Sequence, residues 1–295
     1  MSLMRIGRRA LLGILALAGV IAAMAVARPA LSRGYSNAAM LALYRHAHRA
    51  EGAVSDGDLA RADALLTTAL ALDAGNAAAH RGRGFVLWRR GARQEAGAEW
   101  RRGGIPGADF TRSGRQAQKD GDAARAMEWY DRAIATAPEA GEAYVRKAGL
   151  YEAAEDWQAA LGLYEQALAV ASFPEAWMER QAYLGHANAL RKLGRPDDAL
   201  ADYEWLVAHA PDYYWGYVRL GELVWKQGDV ARAEQLFLQA IAVDPDMKWA
   251  YRGLASLYED TGRLADAEAM FRKVLELDPD DDAARRGLER LARRP

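Results

Sequence analysis

The stretch Gly228-Asp-Val-Ala-Arg-Ala233-Glu-Gln-Leu-Phe237-Leu-Gln-Ala240 decides the fold, because it recurs. Gly262-Arg-Leu-Ala-Asp-Ala267-Glu-Ala-Met-Phe271 repeats it, and Gly121-Asp-Ala-Ala-Arg-Ala126-Met-Glu-Trp-Tyr130 repeats it again. Self-similarity at a fixed period marks a stack of supersecondary units, each too small to bury its own apolar face. Aligned on the central alanine there are seven units, at Ala62, Ala96, Ala126, Ala160, Ala199, Ala233 and Ala267, spaced by 34, 30, 34, 39, 34 and 34 residues. Four residues after each alanine stands a large side chain: Leu66, Trp100, Tyr130, Tyr164, Tyr203, Phe237 and Phe271.

Each recurring position has a physical reason. Alanine suits a close crossing of two antiparallel helices. The large residue one turn later, on the same face, fills the gap to the next helix. Five residues before the alanine six units carry glycine (Gly57, Gly91, Gly121, Gly194, Gly228 and Gly262), while the fourth has Glu155. Glycine there fits a chain that leaves one helix through a positive φ and enters the next. Pro138, Pro211, Pro245 and Pro279, twelve residues after their alanines, cannot continue the second helix. Ala, Leu, Arg and Glu dominate the composition, so local propensity also favours an all-α chain.

This pattern resembles the tetratricopeptide repeat family, whose period is 34 residues. The resemblance covers about residues 43–280. It implies a right-handed α-solenoid of about seven helix pairs, closed by a C-terminal capping helix over 281–295. Two departures stand out. The second unit is four residues short, with Arg102-Gly-Gly-Ile-Pro-Gly107 breaking its second helix. The fifth starts late, after Ser172-Phe173-Pro174, with an extended first helix over about 175–193.

The N-terminus is different. After a basic segment, 1–9, residues 10–27 form an 18-residue run without a charge. As a helix it would extend about 27 Å, enough for a hydrocarbon core. It reads as a transmembrane signal anchor, or as a signal peptide cut after Ala25-Val26-Ala27. Either reading places the repeats outside the cytoplasm: in the first a single pass through a bacterial inner membrane with a periplasmic array, in the second a soluble periplasmic or secreted protein. Arginine outnumbers lysine 33 to 6, a bias associated with GC-rich bacterial genomes. Residues 28–42 read as a linker.

Composition narrows the chemistry. The formal net charge is −1, which gives no electrostatic footprint for nucleic acid. Without cysteine there is no disulfide framework, thiol nucleophile or cysteine metal site. His46 and His48, two apart, point to different sides of a helix and cannot share a metal. Asp278, Asp280 and Asp282 alternate like calcium ligands but lack the central glycine and the distant bidentate glutamate, so helix capping explains them better. No phosphate loop, HExxH or Gly-x-Ser-x-Gly pattern is present. The expectation is therefore no cofactor, no metal and no enzyme.

The resemblance implies a concave groove lined by the first helix of each unit, and a protein or peptide partner in it. By position its front half offers Tyr44, Glu51, Arg81, Phe85, Trp88, Arg89, Arg115, Gln118 and Lys119. The middle offers Glu142, Glu152, Gln181, Asn188, Arg191 and Lys192. The rear offers Trp215, Glu222, Trp225, Lys226, Trp249, Arg252, Glu259 and Asp260. The family's clamp for a C-terminal carboxylate uses Lys and Asn, and Asn188 alone matches it. The tryptophans Trp215, Trp225 and Trp249 have two readings: packing between neighbouring first helices, or an exposed platform of the kind Trp and Arg form at interfaces. Two functions follow: a membrane-tethered scaffold for assembly of an envelope complex, or a carbohydrate-binding subunit of a polysaccharide synthesis or export machine.

Overall fold

The computed structural model describes residues 2–47, 54–169, 173 and 175–293, with side chains in the first helix only at 20–43. Tyr44 and Glu51 therefore lie outside the described side chains, as do residues 10–19 of the apolar run. Among the described residues there are fifteen helices and no strand. In order they are α1 (Ser2–Ala47), α2 (Asp56–Leu72), α3 (Ala77–Arg89), α4 (Arg93–Arg102), α5 (Gly107–Lys119), α6 (Ala123–Thr136), α7 (Gly141–Ala153), α8 (Trp157–Ala169), α9 (Ala176–Lys192), α10 (Pro196–His209), α11 (Tyr214–Lys226), α12 (Val230–Val243), α13 (Lys248–Asp260), α14 (Leu264–Leu277) and α15 (Asp282–Ala292). The first fourteen form seven consecutive pairs, and α15 closes the series. The pairs fall into two compact units, residues 1–139 and 140–295.

Packing follows the repeat logic. All seven aligned alanines are fully buried, and so, to within a few per cent, are the seven large residues after them. These side chains reach further than the sequence suggests. Phe237 lies directly on Gly253 of the following first helix, where an added Cβ would come within 2.5 Å of its ring. The turn glycines Gly91, Gly121, Gly194, Gly228 and Gly262 have positive φ, and Glu155 adopts the same conformation at +58°. Gly57 does not: it sits inside the first turn of α2, whose entry is capped instead by Ser55.

In the first unit, the expected linker 28–42 is helix. Helix α1 runs through Pro29 without interruption. From Ser32 onward it packs as the first helix of the first pair. Ser32 Oγ donates to the Ala69 carbonyl (2.8 Å), and Asn76 Nδ2 donates to Ser32 Oγ (2.7 Å) and Ser36 Oγ (3.0 Å), all buried. Ahead of this clasp, residues 20–31 are exposed on every side. Among the described residues no helix is long and apolar enough to cross a membrane. The four-residue deficit of the second pair also has a structural result. Helix α4 stops at Arg102 and packs across α6, so closely that a Cβ on Gly97 would meet the Ala135 carbonyl oxygen at 1.8 Å.

In the second unit one continuous core runs from Leu161 to Ala284. Phe173, from the insertion before α9, lies against Gly141 at the start of α7, so this departure contributes a packing residue. Helix α15 is held at both ends. Arg290 donates to both oxygens of buried Glu259 (3.1 and 2.8 Å), and Lys248 bonds to Asp278 and Asp281.

Candidate functional site

In the first unit, the groove residues expected from sequence do not converge. Arg81 donates to the Gly103 carbonyl (2.9 Å) and holds the break after α4. Phe85 packs against the core, because one side of α3 must cover α2. Trp88 is drawn onto Trp100 (centroids 5.4 Å) and lies under the guanidiniums of Arg93 and Arg132. Trp100 continues to Phe110, and Phe110 to Trp129, so this is a packed aromatic ladder. Arg132, over both Trp88 and Trp129, is held below the usual guanidinium range by burial, against the opposing pull of Glu128. Arg115 and Lys119 remain on the surface of α5.

In the second unit the first helices do build a shared face. Trp215 near the start of α11 and Trp249 near the start of α13 occupy equivalent positions, and their rings meet at 5.7 Å. Arg219 lies 4.9 Å from the Trp215 ring and Arg252 4.1 Å from the Trp249 ring. Each arginine is one helical turn beyond its tryptophan, the spacing that stacks a cation on a ring. The row extends through Tyr214 to Tyr213, whose hydroxyl accepts from Gln181 on α9 (3.0 Å) and whose ring carries Arg180. Burial raises the Tyr213 hydroxyl above its ordinary range. Both tryptophans are half-buried: packed between neighbouring first helices and still reachable from solvent.

The remaining positions fill in around this row. Trp225 is half-buried against the core and, among the described residues, has no ring or cation partner. Asn188 accepts from the buried Tyr203 hydroxyl (2.9 Å). Glu142 pairs with Arg146, whose guanidinium lies over Trp177. Burial raises the Glu152 carboxyl above the usual range, against a hydrogen bond from Tyr164. Arg252 also approaches Asp281 at 3.8 Å. The sequence reading missed Arg180, Tyr213 and Arg219. Arg219 was recoverable from its four-residue spacing after Trp215. Tyr213 precedes α11, and only the approach of α9 makes it part of the face. No group of acids and histidines among the described residues could hold a metal.

Within each unit consecutive helix pairs of one pattern stack on one another, and in the second unit their first helices share a face, which defines an α-helical repeat scaffold. Tetratricopeptide repeat models match residues 143–174, 184–248 and 224–291, so this part of the chain consists of tetratricopeptide repeats. No curated protein matches the chain by sequence. Similar solved structures include YrrB, described as a TPR protein with an unusual peptide-binding site (19% identity, 61% of this chain and 90% of that one, TM-score 0.50). MamA from residue 41 to its end, from Desulfovibrio magneticus RS-1, is also similar (19% identity, 60% and 97%, TM-score 0.51). Pseudomonas aeruginosa pilF covers more of the chain (14% identity, 90% and 99%, TM-score 0.51). At these identities the likeness is one of fold. The matched repeats and the fold make this chain a tetratricopeptide-type repeat scaffold.

Proposed function

We propose that the chain is a membrane-tethered, extracytoplasmic scaffold that holds a segment of a partner protein on the first-helix face of residues 140–295, for assembly of an envelope complex. The observation that carries the binding reading is the Trp215–Trp249 pair with Arg219 and Arg252 stacked on it. Aromatic rings and arginines, pre-ordered and half-exposed, are the residue types that dominate interface energetics. That similar structures include a peptide-binding repeat protein is consistent with this use. Support for the tether comes from the charge-free run 10–27 between arginines, and from Val20, Ile21, Met24, Val26 and Leu31, which α1 leaves exposed. No observation favours the carbohydrate reading in particular, since the protein's own guanidiniums lie over the Trp215 and Trp249 rings.

Trp225 provides the test, because it borders this face without serving another ring. A photo-crosslinking residue in place of Trp225 captures the partner in cells, and Trp225→Ala is then measured twice. Binding to the captured partner weakens by about 2 kcal/mol or more, as at an interface hot spot, while the thermal midpoint falls modestly. A stability loss of about 3–5 kcal/mol, typical of a large core truncation, with capture intact at lower temperature, would remove this face as the binding site.

A further inference from the structure

Helix α1 carries a second apolar face that the repeats leave uncovered. Ser32, Ser36, Ala39 and Leu43 are its buried face, against the first pair. On the side turned away from these stand Val20, Met24, Ala27, Leu31, Gly34, Ala38 and Leu41, spaced alternately by four and three residues. All seven are exposed, Val20, Met24, Leu31 and Leu41 each by half or more. A four-three spacing is the heptad of a coiled coil, which keeps one stripe facing a partner helix along its whole length. With Leu31 and Ala38 at the a position and Gly34 and Leu41 at d, the buried Ser32 and Ala39 fall at b, and Ser36 and Leu43 at f. Both b and f face away from an a/d seam. Pro29 falls at f as well, off the seam.

Within the charge-free run any period would read as apolar. The information lies beyond it. After Arg28 the chain turns polar, with Ser32, Arg33, Ser36 and Asn37, yet the seam positions stay Leu, Gly, Ala and Leu. Lipid does not reach this part of an upright helix. Leu41 lies 14 residues beyond Ala27. At about 1.5 Å per residue that is about 21 Å, whereas the headgroup layer outside the hydrocarbon core is about 5–8 Å deep. A coiled coil takes about three heptads or more, which Val20–Leu41 supplies and Leu31–Leu41 alone does not.

We infer that α1 pairs with α1 of a second copy, parallel and in register, along Val20–Leu41. The inference rests on the tether reading of 10–27, which gives both copies one direction and one depth, so that each seam residue meets its own counterpart. The flanking positions then set Ala23 against Arg28, Ala30 against Tyr35 and Asn37 against Ala42, and no like charges oppose each other. Ala27, Gly34 and Ala38 are small enough to let the two backbones approach closely. An added Cβ on Gly34 meets nothing in its own chain within 4 Å, so the fold itself does not require glycine for space there. The paired scaffold offers two first-helix faces to its partner, which raises avidity without new contacts.

The chain has no cysteine, so single introduced cysteines report the pairing. Leu31→Cys, Ala38→Cys and Leu41→Cys, with Arg33→Cys off the seam, are oxidised in membranes holding the full-length protein and read as covalent dimer on non-reducing gels. A disulfide needs Cβ atoms about 3.5–4.5 Å apart, so the seam cysteines are expected to cross-link about fivefold or more above Arg33→Cys. Leu31→Glu combined with Leu41→Glu, at exposed positions, lowers cross-linking through Ala38→Cys by about tenfold or more, because identical charges then face each other. Helical content stays unchanged. In full-length membrane-fraction protein, cross-linking that is absent or equal on and off the seam overturns the pairing and leaves the tether standing. Adducts with a protein of another mass overturn it in favour of a different partner. Seam cysteines that stay single and resist a membrane-impermeant thiol reagent overturn it in favour of lipid. A soluble mature chain starting at Arg28 removes the tether and the pairing together.

Discussion

At the scale of single residues, Glu155 is the most instructive. Five of seven turns place glycine at positive φ, and the fourth pair keeps the same geometry with a glutamate at +58°. An L-residue with a Cβ pays about 1–2 kcal/mol for that conformation. Glu155→Gly is therefore expected to stabilise the protein by up to about 1 kcal/mol, after the added flexibility of the unfolded chain is subtracted. Chemical denaturation of the two proteins checks this. Ala233 tests the other half of the motif. It is fully buried where α11 and α12 cross, so Ala233→Leu overpacks the crossing and costs roughly 1–3 kcal/mol. An unchanged thermal midpoint would show that the repeat register is misassigned.

At the scale of elements, α15 is held by charge as much as by packing. Asp281 caps it through the Ala284 amide and is buried beside Lys248. Burial alone would raise the Asp281 carboxyl, but Lys248, the amide and Arg252 outweigh it and hold the group below the usual carboxylate range. Lys248 and the Asp280 amide hold Asp278 low as well. A folded-state value below the unfolded one means the stabilisation is complete above the ordinary carboxylate range. It is lost as pH falls through the folded-state values. Amide hydrogen exchange across 282–292 should accordingly speed up in acid before the core around Phe237 does. Loss of Arg290 acts at neutral pH. Arg290→Ala leaves buried Glu259 without its two-pronged donor and should cost about 1–3 kcal/mol, measured by thermal unfolding.

At the scale of the whole molecule, the consequential feature is the continuity of α1. Its residues 32–43 form part of the first helix pair, so the apolar run and the repeats share one helix. A tether through 10–27 would hold the first pair at the membrane without a flexible spacer. Full-length protein is expected in the membrane fraction, resistant to alkaline extraction, with a C-terminal reporter exported. A soluble mature form starting at Arg28 would establish signal cleavage instead. A cytoplasmic reporter would reject both readings.

The sequence by itself determined the helix pairs after the first, the repeat register and the buried alanine and large positions. Those depend on local spacing: an alanine and a large side chain four residues on must share one helical face wherever the helix lies. The family resemblance came from the same spacing, as did the late start of α9. Tertiary packing decided what the side chains do once neighbouring helices arrive. It put Trp88 under two arginines and turned Arg81 to the Gly103 carbonyl, whereas the meeting of Trp249 with Trp215 follows the 34-residue period. It also made helix of the expected linker, because Ser32 and Ser36 find buried partners on Ala69 and Asn76, about forty residues away in the sequence. Such contacts join residues that no local period relates, so only the folded chain defines them.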